Sequence, residues 1–324
     1  MKGKIEQVLA TIPTALAGLA LAIASLGWSW ENAFNFQGKM QIGGALVAGL
    51  LLCILLFKFF LTPAELKQDL AHYLKGSMVP TFAMTTMVIA NSVNYFNHQV
   101  SILLWLTAII FHLFFLFVFI YYRVQDFKFE QMLPSWFIPP IGVVVATISL
   151  PEGEWGANLV SIANISLLFG LIAYGILLPI LLYRCFMHSN LLESEQPTIA
   201  IFATPASLIL VGYLAVIEEP NYFVVTFLAA LAVSMTVFIY YYFNKLLRLP
   251  FSPAYAAFTF PLVMGATAMF KMSHFLLVYG SEAWIVGTVQ NIAYLELVLA
   301  SLMVGYVSFR YTGYFKLSKS KCAL

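Results

Sequence analysis

Charge is what this 324-residue chain has least of: Lys, Arg, Asp and Glu together make up 9% of it, against roughly 25% in a soluble globular domain. With 62% hydrophobic residues and a mean hydropathy of +0.90, a soluble globule is excluded and a polytopic membrane protein remains. Cysteine is scarce as well, and Cys53, Cys185 and Cys322 imply no disulfide framework. His72, His98, His112, His188 and His274 stand without metal-ligand spacing, and neither a phosphate-cradling glycine loop nor a G-x-S-x-G nucleophile elbow occurs. An enzyme reading therefore has no support, and no cofactor or metal site is expected. The net charge of +2 comes without a concentrated basic patch, so no nucleic-acid partner is expected either. No Ser/Gly linker, charge block or low-complexity tract interrupts the hydrophobic pattern, so residues 1-324 are read as a single membrane domain.

Crossing a ~30 Å hydrocarbon core takes roughly 17 to 25 apolar residues. Ten such runs fall near 8-28, 41-61, 78-95, 100-122, 136-150, 157-186, 199-217, 221-246, 254-275 and 284-310, the fifth being short. Basic residues report orientation, because short positive loops stay in the cytoplasm. Of the 16 Lys and Arg, all but Lys39 and Lys271 fall at the termini or on even-numbered connections, from Lys2, Lys4 and Lys58 to Lys319 and Lys321. The other side holds Glu31, Glu152, Glu154, Glu218, Glu219 and Glu282. Both termini are thus expected in the cytoplasm. Lys2 and Lys4 ahead of an alanine-rich run also fit a signal peptide, but that run is too long for one and contains Pro13.

Five of the runs carry a proline at nearly even spacing, at Pro13, Pro80, Pro140, Pro205 and Pro261, with intervals of 67, 60, 65 and 56 residues, whereas the five runs that follow them have one among them, Pro179. A period in this range marks a repeated supersecondary unit, here a two-helix hairpin. Proline in a helix interior costs ~3 kcal/mol and frees a carbonyl, and lipid offers no water in compensation, so broken helices belong where protein or a water-filled cavity surrounds them. Each proline is followed by small residues such as Ala15, Gly18, Ala83, Gly142, Ala206 and Gly265, which permit close helix approach. The expected fold is all-α: five hairpins in a quasi-five-fold array, with the proline-broken helices inside around a central pathway. Packing kinks alone are the competing reading.

If the proline levels coincide, Ile12, Val79, Ile138, Thr204 and Phe260 converge beside Pro13, Pro80, Pro139, Pro140, Pro205 and Pro261 as an apolar constriction, of a kind that gates by dewetting. Phe260 alone is bulky enough to plug a narrow axis, though among 29 phenylalanines an ordinary core or lipid-facing place is the plainer reading. Lys271 lies about 16 Å further along the same helix, by a rise of ~1.5 Å per residue. It reads either as a cation at the outer mouth or as a side chain snorkelling or paired with Glu282. Glu296, near the middle of the tenth run, reads as a structural hydrogen bond or protonated side chain, or as a proton-coupling group. Between the second and third runs, Thr62, Pro63 and Glu65 signal a helix start, and Leu66, Leu70 and Leu74 ahead of Gly76 an amphipathic surface helix.

The stretches IPTALAGLALAIASLG near the start, VPTFAMTTM at 79-87, PSWFIPPIGVVVATI at 134-148, QPTIAIFATPASL at 196-208 and AFTFPLV at 257-263 resemble the tellurite-resistance and dicarboxylate transporter family. That family includes the bacterial TehA channel homologues and the slow anion channels of plant guard cells. The resemblance spans nearly the whole chain in family order. It implies ten helices as five hairpins around a central anion pore in a bacterial cytoplasmic membrane, often as a homotrimer. Its gating phenylalanine precedes the proline of the ninth helix, which here falls on Phe260. The implied cargo is a small inorganic or carboxylate anion: chloride or nitrate in channels, malate or sulfite in carriers and exporters. The long cytoplasmic tails through which plant members are controlled by phosphorylation have no counterpart in this sequence.

Overall fold

The computed structural model describes residues 9–153, 156–188 and 191–321. Lys2, Lys4, Glu154, Cys322 and the first residue of the 8-28 run lie outside the described residues. Every regular element among the described residues is helical. In chain order these are α1 (Leu16–Ala33), α2 (Lys39–Leu61), the short α3 (Pro63–Ala71) and α4 (Tyr73–Met78), α5 (Thr81–Val93), α6 (His98–Gln125), the four-residue α7 (Ile138–Ile141) and α8 (Val145–Ile148), α9 (Gly156–Leu182), α10 (Thr204–Val216), α11 (Tyr222–Leu246), α12 (Phe260–Val278) and α13 (Ala283–Lys321).

Among the described residues, seven helical segments are long and apolar enough to cross a membrane, and their burial separates them into two kinds. In the segments of α2, α6, α9, α11 and α13, only 28% to 39% of the most apolar stretch is buried. The rest displays side chains such as Phe60, Ile110, Ile165, Phe223 and Leu302, as lipid-facing helices do. In the proline-marked segments Gln196–Val216 and Pro253–Val278 the buried share is 78% and 72%, so these lie inside. The other proline-marked stretches are less regular. Helix α1 ends in the polar run Trp28 to Asn32, α5 has 13 residues, and 134–148 is a chain of 3-10 and α pieces.

The sequence pattern leads one to expect helices broken at their prolines, and each of these prolines stands in or just before a helix start. Pro80 is the N-cap of α5; Pro139, Pro205 and Pro261 occupy the first turns of α7, α10 and α12; Pro13 lies in the turn before α1. The chain arrives at three of these points as a 3-10 helix: Pro134–Phe137, Gln196–Ala203 and Pro253–Phe258. A residue in the first turn has no intrahelical acceptor for its N–H, so a proline there loses nothing. Each break is an end of one helix and a start of another.

Carbonyls at the five breaks still need donors, and side chains supply them. Lys58 Nζ donates to Ile12 O (2.8 Å), Thr81 Oγ1 to Met78 O (2.6 Å), His112 Nε2 to Pro139 O (2.9 Å), Ser207 Oγ to Ala203 O (3.1 Å) and Thr259 Oγ1 to Ala256 O (2.7 Å). Two of these donors, Lys58 and His112, come from the lipid-facing helices α2 and α6. This is how irregular backbone survives without water.

Lys58, counted from sequence as a cytoplasmic charge, is only 2% exposed. It pairs with equally buried Asp69 of α3 at 3.2 Å, and Asp69 also accepts from Thr14 Oγ1 (2.5 Å) and Lys75 Nζ (3.0 Å). Burial pushes the Asp69 carboxyl up, but the Thr14 hydrogen bond and the Lys75 and Lys58 charges together hold it below the ordinary 3.8. Helix α3 is thereby fastened to the first break. Its proline and Glu65 stand in the first turn as expected, whereas Thr62 Oγ1 donates back to Lys58 O and does not cap α3. The helix stops at His72, whose Nδ1 caps α4 by accepting from Leu74 N and Lys75 N.

Candidate functional site

A cavity of about 60 Å³ lies where the five breaks meet, and its wall takes residues from all five proline-marked segments. The first contributes Ala15, Gly18 and Leu21, the second Met78, Thr81 and Met84. Ile138, Ile141 and Gly142 come from the third. The fourth adds Thr204, Pro205 and Leu208, and the fifth Ala256, Phe260 and Pro261. Spacings of three and four within each set show one helix face turned inward. The lining is apolar apart from the hydroxyls of Thr81 and Thr204.

Of the residues expected at a constriction, Ile138, Thr204, Pro205, Phe260 and Pro261 line this cavity. Ile12 and Val79 are buried, at 8% and 0% exposure, but do not line it, nor do Pro13, Pro80, Pro139 and Pro140. The reason is the helix start: α1 begins at Leu16 and α5 at Thr81, so their inward faces fall at 15, 18, 21 and at 78, 81, 84.

Phe260 is 7% exposed and, among the described residues, makes no ring–ring contact. Its neighbour Phe258 is 0% exposed and held by Tyr255 at 4.7 Å and Phe243 at 5.5 Å. A second aromatic in the wall, Phe137, escaped the sequence reading; it is fixed edge-on by Phe202 at 5.6 Å. Its position three residues before Pro140 on a 3-10 turn gave no local signal.

One electrostatic feature also had no sequence signal. Ala15 is the N-cap of α1, and Thr81, Ile138, Thr204 and Phe260 are the first residues of α5, α7, α10 and α12. At α5, α7, α10 and α12 a preceding helical piece ends with at most two residues between it and the start, so its partially negative C-terminal end offsets the partially positive N-terminal one.

A second cavity, of about 1080 Å³, is wide and polar, lined by Asn32, Gln41, Asn91 and Asn94 among others. Lys271 lines it, with Nζ 5.6 Å from the centre of the Trp28 ring. Glu282 instead accepts from Trp284 Nε1. Glu31, Glu152, Glu218 and Glu219 share the same wall, so one lysine faces four glutamates and the positive mouth expected from Lys271 is at most a local one. Glu296 lines neither cavity; it is 7% exposed and lies against Gly265 of α12.

The family described as voltage-dependent anion channel matches residues 8–311. Two proteins of Methanocaldococcus jannaschii, each called an uncharacterized transporter, are similar to the chain. One is 28% identical over 244 residues, covering 64% of this chain and 69% of its own, and the other is 27% identical over 226 residues, covering 62% and 65%.

Proposed function

The chain belongs to the voltage-dependent anion channel family, and from that premise we propose that it is an anion channel of a bacterial cytoplasmic membrane, occluded by Phe260 and passing small monovalent anions. The reading takes ten crossings as five hairpins around the small cavity, both termini in the cytoplasm, and assembly as a trimer. Its main support is that one narrow apolar cavity draws its wall from all five proline-marked segments and has the Phe260 side chain in it.

An anion entering from the wide cavity sheds water to pass a wall with two hydroxyls, of which that of Thr81 already donates to Met78 O. Monovalent anions lose less hydration free energy than divalent ones on entering such a wall, which favours them as cargo. With the Phe260 ring in the wall, the free space left is about 60 Å³ and apolar, too small for an anion with its full hydration shell. Opening consists of moving the ring.

Phe260→Ala tests this reading. Planar-bilayer currents should rise from near silence to constitutive conduction, with little change for Phe258→Ala. Equal, negligible currents from wild type and Phe260→Ala, with protein shown to be in the membrane, would return Phe260 to ordinary packing. The relatives' designation as transporters favours a second reading, a proton-coupled or passive carrier of dicarboxylate or sulfite. Anion flux into liposomes that requires an imposed proton gradient would select the proton-coupled carrier over the channel.

A further inference from the structure

The seam between α11, α12 and α13 contains two buried polar atoms with no partner, Glu296 Oε2 and the Tyr240 hydroxyl. Glu296 stands on α13 and Tyr240 on α11, close enough for the carboxyl to act electrostatically on the tyrosine. Between these helices α12 presents Gly265. A Cβ there would stand 2.9 Å from Glu296 Oε2 and 3.7 Å from Thr236 Oγ1, so the carboxyl rests directly on the α12 backbone.

No cation answers this carboxyl. Among the described residues Glu296 takes part in no ion pair. Around it, α11 contributes Thr236 and Tyr240, while the ionisable groups of α12, Lys271 and His274, line the wide cavity. Helix α1, which also packs on α13, has no ionisable residue between 16 and 30. The 3-10 segment Pro253–Phe258 brings Tyr255, whose hydroxyl donates to Leu249 O, and α13 itself brings Tyr294 and Tyr306. An unpaired carboxylate at such a place is costly and is neutralised by a proton.

We propose that Glu296 is a proton-binding site within the membrane whose occupancy sets the packing of α12 and, through it, the position of Phe260. The neutral acid packs flat on Gly265, and the nearby Tyr240 hydroxyl feels its charge once the proton is lost. Loss of the proton leaves a charge against the backbone, which must admit water into the seam or push α12 aside. Gly265 is five residues from Phe260, about 7.5 Å along the helix, so a shift of the one carries the other. The gating half of this inference rests on the reading of Phe260 given above, and it makes conduction rise with pH.

The test uses the whole reconstituted protein and two readouts that need no current. Infrared difference spectra between about pH 5 and about pH 9 should show a carboxylic-acid C=O band that fades as pH rises and is missing from Glu296→Gln. Protection of the amides of residues 262–266 from exchange, taken relative to the intrinsic base-catalysed rate at each pH, should fall several-fold across the same range in wild type and stay constant in Glu296→Gln. Anion flux should follow the exchange, rising with pH in wild type and not in the variant. A missing band, or a pH-dependent loss of protection that survives Glu296→Gln, overturns the proposal. Should Glu296→Gln fail to fold, Tyr240→Phe must move the midpoint of the band, and an unmoved midpoint is equally fatal. A band that depends on Na⁺ and vanishes in its absence would make the ligand a metal cation and also overturns it. If Phe260→Ala conducts no anion while band and exchange behave as expected, the channel reading fails and the proton site stands.

Discussion

His112 of α6 donates its Nε2 proton to the carbonyl of Pro139 at 2.9 Å, across 27 residues of sequence, and so closes the third break from the lipid-facing layer. Because a carbonyl only accepts, the contact assigns a proton to Nε2. His112 is 0% exposed. His112→Ala should therefore strand the Pro139 carbonyl in an apolar setting and destabilise the protein by about 1–3 kcal/mol plus the effect of the vacated volume. His112→Gln, which keeps a donor, should lose less. Thermal unfolding in detergent measures both, and equal losses would show that volume and not the hydrogen bond is what matters.

Asp69 and Lys58 make a buried pair, both 2% exposed, that ties α3 to Ile12 and Thr14. Removing one partner leaves an uncompensated charge, so Asp69→Asn should cost on the order of 3 kcal/mol, reduced if Lys58 finds water. The native carboxyl is held below the ordinary 3.8, so its contribution is complete above the unfolded-state value and is lost as pH falls through the lower folded-state value. Unfolding temperatures measured from about pH 6 down to about pH 3 should converge for wild type and Asp69→Asn at the acid end. Parallel curves would remove the pair from the stability of the fold.

Phe258 and Phe260 separate packing from occlusion within one turn of chain. Phe258 is wedged among Tyr255 and Phe243, so its replacement by Ala should cost ~3–5 kcal/mol. Phe260 projects into a cavity and has no ring partner, so Phe260→Ala should cost clearly less. Chemical denaturation of the two variants side by side decides this, and the reverse order would make Phe260 the core residue.

Lys271 is the lysine in a wall that also carries four glutamates. If its charge raises the local anion concentration, Lys271→Ala should lower conductance at low salt, with the effect fading as ionic strength passes ~0.1 M. Glu152→Gln, on the same wall, should act in the opposite direction. A loss that ignores salt would assign Lys271 to structure, through its contact with Trp28.

Much of the architecture was legible before any coordinates. A chain this poor in charge must be helical in lipid, and five of the expected runs fall within a few residues of observed segments: 41-61 against Lys39–Leu61, 100-122 against His98–Gln125, 157-186 against Asn158–Met187, 221-246 against Tyr222–Leu246, and 284-310 against Ala283–Phe315. The marked prolines stand in or just before helix starts because a missing N–H is a local fact. The 136-150 run failed as one helix for the same kind of reason: Pro139 and Pro140 remove two successive donors, and the stretch divides into short pieces.

What sequence alone determined is therefore whatever depends on neighbours along the chain: membrane class, the places where helices stop, and a set of small residues beside them. Which side chains reach the cavity depended instead on the angle at which each helix sets out from its break. That angle is settled by packing against other segments, so Ala15 and Thr81 line the wall where Ile12 and Val79 were expected, and Phe137 joins it unannounced. The partners at the breaks are equally non-local. Lys58 reaches Ile12 across 46 residues and His112 reaches Pro139 across 27, because a carbonyl freed in lipid must take whatever donor the tertiary fold brings to it.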